Sequence, residues 1–233
     1  MITEIVKQWC DENNIVISER QLQQFDLYAA LLKEWNEKMN LTAITDDEGI
    51  AVKHFIDSIS VVRLQDIKGK VIDIGTGAGF PGVPIKIMCP DIELTLLDSL
   101  NKRLLFLEEV CRKLEIKAQL VHSRAEDGAL LPTYREQYDI AVSRAVANLP
   151  ALCEYCLPYV KVGGLFISMK GPDGRRELSE SENAMKLLGG RIASVNEFTL
   201  PDSSARTMIT ISKIQKTDLK YPRKKQKINK NPL

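Results

Sequence analysis

The chain has no apolar run of about 18 residues or more, the length a membrane-spanning helix requires. Its first residues, MITEIVKQWCDENN, carry acids and lack an apolar core followed by a small-residue cleavage site. No secretory leader is therefore expected, and the protein is read as cytoplasmic. Cysteine is sparse and odd in number. Cys10, Cys89, Cys111, Cys153 and Cys156 are scattered, which argues against a disulfide framework. Cys153 and Cys156 form a CxxC, but no second pair completes a four-thiolate zinc site. They fall in LPALCEYCLPYV, which reads as a buried helix where free cysteine packs as a small hydrophobe. No metal is expected.

What is present is the composition of a globular protein. In 233 residues, 44% are hydrophobic and 27% charged, enough to bury a sizeable core. The net charge of +1 hides an asymmetry. From Lys213 onward eight bases face one acid, Asp218, a net +7, so the preceding residues carry −6. An acidic body with a basic end suits a polyanionic partner, although a merely solvated tail has the same composition. The expected divisions are a helical segment over residues 1–66, a core over 67–213 and a basic tail over 214–233.

The first third reads as helix. SERQ, residues 18–21, has the pattern of a capping box. Leu22, Phe25, Tyr28, Leu31, Leu32, Trp35 and Met39 follow at three- and four-residue steps, an apolar stripe that ends near Asn40. A further helix is expected over residues 47–62. Such helices need a larger body to cover their stripe. From Gly69 the rhythm changes to short apolar runs alternating with helical stretches. KVIDI, LTLLD, AQLVH, DIAVS, LFISM, RIASVNEF and TMITISK are the strand candidates. This alternation predicts an α/β fold with right-handed crossovers and a mainly parallel sheet. Only LPDSS separates the last two strands, so they should pair antiparallel.

The first strand runs into VIDIGTGAGFPGVP, residues 71–84. Gly75, Gly77 and Gly79 permit backbone turns that a Cβ would obstruct. No GK[ST] follows, which excludes a phosphate-binding P-loop. GAGFPG matches the dinucleotide pattern G-x-G-x-x-G, with Asp98 near the distance of a ribose-binding acid, so a nicotinamide-dependent oxidoreductase is one reading. S-adenosylmethionine is the other. Asp73 lies inside the strand before the loop, and Pro81 and Pro84 crowd the helix start that a pyrophosphate would need. Asp98 can accept from the ribose hydroxyls under either reading, and Glu126 in SRAED can meet the adenine edge.

WNEKMNLTAIT (35–45), HFIDS (54–58), DIGTGAGFPGVP (73–84), LLDSLNKR (96–103), SRAED (123–127), SRAVANL (143–149), MKG (169–171) and YPRK (221–224) occur in this order. In these the chain resembles the bacterial small-subunit ribosomal RNA guanine-N7 methyltransferases, nearly end to end. The resemblance implies a class I S-adenosylmethionine-dependent methyltransferase fold, a Rossmann-like seven-stranded mixed sheet with N-terminal helices laid against it. It also implies donor contacts at Gly75, Phe80, Ala125, Glu126 and Arg144, and 16S ribosomal RNA as substrate and partner. Lys86 is a minor departure from the pattern.

SRAV after the fourth strand replaces the Asp/Asn-Pro-Pro-aromatic tetrad of amino-group methylation, and Cys153 lacks the setting of a carbon-methylating nucleophile. Guanine N7 needs no proton removed, so positioning outweighs acid–base work and no catalytic acid or base is assigned. Arg144 and Lys170 are the positioning candidates. His54 and Asp57 are expected to hold the N-terminal helices on the sheet. RNA contacts are expected from Lys170, Arg206, Arg223, Lys224 and Lys225. A monomer is expected, and a non-enzymatic ribosome assembly factor stays open as a further reading.

Overall fold

The computed structural model describes residues 1–233. Helices α1 (Ile2–Glu12) and α2 (Glu19–Met39) open the chain. Ser18 caps α2 through the backbone N–H of Gln21, whose side chain returns to the Ser18 N–H, the reciprocal box that SERQ encodes. Asn40 ends the helix in the left-handed conformation, φ 48°. A short α3 (Asp47–Gly49), a π-helical stretch over Ile50–Ile56 and α4 (Asp57–Leu64) complete this layer.

The alternating part follows as β1 (Lys70–Ile74), α5 (Gly82–Met88), β2 (Glu93–Asp98), α6 (Asn101–Lys113), β3 (Ala118–His122), α7 (Ala125–Gly128), β4 (Tyr138–Arg144) and α8 (Leu149–Cys156). After a single 3₁₀ turn come β5 (Val160–Lys170), α9 (Gly174–Ser179), α10 (Glu182–Leu188), β6 (Gly190–Thr199) and β7 (Ala205–Lys213), and α11 (Lys225–Lys230) closes the chain. The strands form one sheet in the order β3-β2-β1-β4-β5-β7-β6. β7 runs antiparallel to both neighbours, as the missing crossover before it requires. The order reverses between β1 and β4, which opens a crevice at their C-terminal ends.

Two apolar cores flank the sheet. One joins its α5–α6 side to the N-terminal layer through Phe25, Tyr28, Leu32, Phe55 and Phe106, all fully buried. The other lies beneath α8, where Cys153 and Cys156 are buried free thiols in the packing role their helix suggests. No helix is long and apolar enough to cross a membrane.

The last residues, the expected basic tail, lie docked on the core. The Arg135 guanidinium donates to the carbonyls of Thr217, Asp218 and Tyr221. Buried Lys213 donates to Leu157 and Thr217 and lies 3.5 Å from Glu136, while Arg223 pairs bidentately with fully buried Glu154. Tyr221 and Ile228 are buried too. Residues 214–233 thus form a docked strap. A chain whose carbonyls and cations find buried partners gains more from docking than from hydration.

Candidate methyl-donor cleft

A cavity of about 600 Å³ opens at the C-terminal ends of β1, β2 and β4. It is bordered by Gly75, Gly77, Asp98, Ala125, Glu126 and Arg144, and also by Leu41, Thr42 and His54 from the N-terminal layer. The loop after β1 shapes its floor. Asp73, fully buried on β1, accepts from the Thr76 hydroxyl at 2.7 Å and from the Gly82 N–H at 2.8 Å. It thereby fixes the loop's width and occupies the start of α5. Burial pushes its pKa up to about 6, against the lowering effect of those two hydrogen bonds.

Two glycines in the loop matter for different reasons. At Gly75 (φ +72°) a Cβ would stand 2.6 Å from Val146 Cγ2. At Gly77 (φ +60°) it would meet nothing closer than 4.0 Å and would take up free space. Gly79 (φ +96°) turns the chain at Phe80, which is largely buried and borders the cavity. The Phe80 ring lies 4.5 Å from the His54 imidazole at 13°, and the Arg144 guanidinium carbon stands 5.2 Å from its centroid. Tyr28 stacks on Phe80 as well and donates to the Ala78 carbonyl, so the N-terminal layer braces the loop directly.

Asp98 accepts from the N–H groups of Gly77 (2.9 Å) and Leu100 (2.8 Å) and from Arg103 (3.2 Å). A carboxylate has about four acceptor positions. Three of them are taken here by Gly77, Leu100 and Arg103. Ala125 and Glu126 begin α7 on the cavity wall, Glu126 being buried. Arg144 donates through Nη1 to Asp57 (2.8 Å) and to the Lys53 carbonyl (2.9 Å), leaving Nη2 and Nε unpartnered. It is at once a salt-bridge residue and part of the cavity wall. The next residue, Ala145, holds φ 55°, a strained conformation for a residue with a Cβ.

His54 and Asp57 do more than fasten the N-terminal helices. Asp57 joins Arg144 to Arg206 (2.9 Å). His54 sits on the π-helical stretch, binds Thr42 through Nε2 and borders the cavity. Burial, then the Arg144 charge, pushes its pKa down to about 4, so the ring is neutral near pH 7. π-Helical turns recur at functional sites, but a run such as IAVKHFI gives no sequence signal of one.

Three of the expected RNA contacts are otherwise engaged. Lys170 is buried on Glu177 (2.7 Å) and the Ala147 carbonyl, Arg206 is held by Asp57, and Arg223 by Glu154. Each cation emerges from a strand end or strap within reach of a carboxylate of the chain, and in this structure a charge-assisted bond occupies it. Lys224 and Lys225 are exposed, and Lys225 borders the cavity. Lys86, the minor departure, is buried with its ammonium on the Pro90 and Ile92 carbonyls.

The family model described as rRNA small subunit methyltransferase G matches residues 21–207. The chain belongs to that family. A protein of Alkaliphilus metalliredigens named ribosomal RNA small subunit methyltransferase G is 51% identical over 233 residues, 98% of each chain. One of the same name from Clostridium perfringens is 50% identical, covering 99% of this chain and 98% of its own. Among solved structures, an rRNA methylase of Streptococcus thermophilus superposes with a TM-score of 0.50 at 15% identity, covering 69% of this chain and 95% of its own. A branched-chain polyamine synthase of Thermus thermophilus gives 0.59 at 11%, covering 82% and 64%. At such identities these neighbours speak for the fold alone. The expected α/β class I methyltransferase sheet is the one found.

Proposed function

We propose that the protein transfers a methyl group from S-adenosylmethionine to N7 of a guanine in 16S ribosomal RNA. Family membership carries the reaction class, and the cleft supports its details. The single observation that carries the donor is the loop. Asp73 occupies the Gly82 N–H that a dinucleotide pyrophosphate would need, while the open Gly77 position faces free volume. That arrangement also disfavours the nicotinamide reading.

Gly75, Gly77 and Asp98 would hold the ribose side of the donor, Ala125 and Glu126 the adenine edge, and Arg144 the end nearest the base. When bound, S-adenosylmethionine supplies an electrophilic methyl group on a sulfonium. The chain's own task is to hold the guanine in line and exclude water. Its neutral His54 and its paired Asp73 and Asp57 are not poised as bases, which suits a nucleophile that already carries its lone pair in the ring plane. Arg144, fixed through Asp57, keeps three N–H donors, on Nη2 and Nε, free for positioning at the cavity it borders. No step calls for a metal.

N7 faces the deep, narrow groove of A-form RNA, so the guanine must be unpaired or extruded. Lys224 and Lys225 are exposed, Lys225 at the border of the cavity, and would supply the phosphate contacts. The enzyme would act as a monomer, in the cytoplasm where its ribosomal RNA substrate is made.

Gly75→Asp is the sharpest test. The added side chain runs into Val146 and adopts a disfavoured φ, so calorimetry should register no S-adenosylhomocysteine binding. Retained affinity would overturn the loop assignment. Mass spectrometry of 16S ribosomal RNA from a strain lacking the protein should find one 7-methylguanosine missing. Tritiated methyl transfer to isolated small subunits separates the enzyme from a pure assembly factor.

A further inference from the structure

The docked strap brings a side chain to the cavity that neither the glycine loop nor the family model's residues 21–207 include. Asn229, on α11, borders the cavity beside Tyr155, Ala125 and Glu126. Tyr155 is buried on α8, and its hydroxyl donates to Asn229 Oδ1 at 2.9 Å. In this arrangement the amide oxygen faces the Tyr155 hydroxyl and accepts from it. The amide nitrogen keeps two donors, neither used within the chain, and the residue is exposed at the cavity rim. The strap is held independently of Asn229, by Glu154–Arg223, by the Arg135 guanidinium and by burial of Ile228. The amide is therefore presented on a fixed support rather than a loose end.

We propose that Asn229 is a donor-binding residue, its amide N–H donating to a ring nitrogen of the adenine, with Tyr155 as the positioning residue that orients it. This rests on the donor reading above, in which Ala125 and Glu126 mark the adenine end. The chemistry is complementary: adenine offers ring-nitrogen acceptors and an exocyclic amino donor. Glu126 and the backbone around it can accept from the amino group, and the Asn229 amide adds a side-chain donor to the same wall. The strap then forms part of the nucleoside pocket as well as a carrier of exposed bases.

Full-length protein is titrated calorimetrically with S-adenosylhomocysteine and with 5′-methylthioadenosine, which keeps the nucleoside and lacks the amino acid. Asn229→Ala should weaken both ligands by the same factor, roughly three- to tenfold, the worth of one neutral hydrogen bond. Asn229→Asp keeps the oxygen for Tyr155 and removes the donors, so it should lose at least as much. Tyr155→Phe should cost roughly two- to threefold alone and nothing further in the Asn229→Ala background, a non-additivity that a purely structural role would not produce. Lys230→Ala, an exposed neighbour, should change neither affinity. The melting temperature of Asn229→Ala should match the parent.

Unchanged affinity of both Asn229 variants, with the parent binding normally, would overturn the assignment. So would a loss confined to S-adenosylhomocysteine, which would put Asn229 at the amino-acid end. A parent that binds neither ligand would instead bring down the donor reading itself.

Discussion

Residues 1–64 and residues 214–233 both lie against the same sheet and both reach the same cavity. The first do so through Leu41, Thr42 and His54, the second through Lys225 and Asn229. Their attachments differ in kind. The N-terminal layer is joined chiefly by apolar side chains, beside the Asp57 pairs: Phe25, Tyr28, Leu32 and Phe55 are fully removed from water, with Tyr28 packed on Phe80 and Phe106 and Phe55 on Phe80. The strap is joined by polar staples: three backbone carbonyls on one guanidinium, a buried lysine, and an arginine on a buried glutamate. Apolar area is additive and non-directional, whereas a buried ion pair gives little net stability when whole and costs much when broken. One attachment should unfold with the core, the other should be able to leave it.

Cutting one contact on each side puts that difference to its severest trial. Phe55→Ala removes a fully buried ring from the main core, and a loss of about 3–5 kcal/mol in the global urea transition is expected. Glu154→Gln leaves the Arg223 guanidinium without its counter-charge, at a cost of up to about 3 kcal/mol. Because the strap can release without the sheet, that loss should show first as faster amide exchange over residues 214–233, with a smaller shift of the global midpoint. Equal global shifts and equal exchange in both variants would erase the distinction.

The layer also buries polar groups, and one of them, His54, makes a pH prediction of intermediate size. The His54 pKa is lowered to about 4, by burial first and by Arg144 second. A depressed histidine pKa means that the unfolded chain binds the proton more readily. Stability is therefore full above about pH 6.5 and falls as pH drops toward 4. At pH 5 the loss amounts to roughly 2 kcal/mol relative to pH 7. Asp73 works in the opposite sense. Its pKa is raised to about 6, so protonation favours the folded chain over part of the same interval. The two partly cancel in the parent. His54→Phe keeps a ring against Phe80 and removes only the histidine contribution, so its stability relative to the parent should rise by about 2 kcal/mol between pH 7 and pH 5. A pH-independent difference between the two proteins would show that His54 titrates normally.

The same contrast explains what could be read from the sequence. The capping box at Ser18, the apolar stripe of α2 and the seven strands are periodic signals, and each emerged where its pattern lies. Gly75, Asp98 and Glu126 line one cavity because the ends of parallel strands converge at the switch point. The strap was misread because its cations look solvent-bound in one dimension, and composition cannot say which will meet a buried carboxylate. A clue existed: Glu154 is the sole charge in LPALCEYCLPYV, and an acid inside a buried helix requires a cationic partner. Asn229 had no comparable signal, since nothing in KINKNP separates it from surface polarity. The carboxylate partners of Lys170 and Arg206 were no more legible: Glu177 lies seven residues on, across a turn, and Asp57 is distant in sequence.

The smallest stability effect sharpens the comparison at its other edge, where the strap carries charge that anchors nothing. Lys216, Lys224, Lys225, Lys227 and Lys230 are exposed and make no ion pair. Removing one should barely touch the fold, and Lys224→Ala is expected to stay within about 0.5 kcal/mol of the parent in urea. If that lysine meets a phosphate, its loss should lower the slope of log affinity for ribosomal RNA against log salt by about 0.7 to 0.9. Glu154→Gln, by contrast, should weaken RNA binding and donor binding together, because it frees the segment that carries both the lysines and Asn229. A Lys224 variant with an unchanged salt slope would separate the strap's charge from RNA and leave its work to the nucleoside pocket alone.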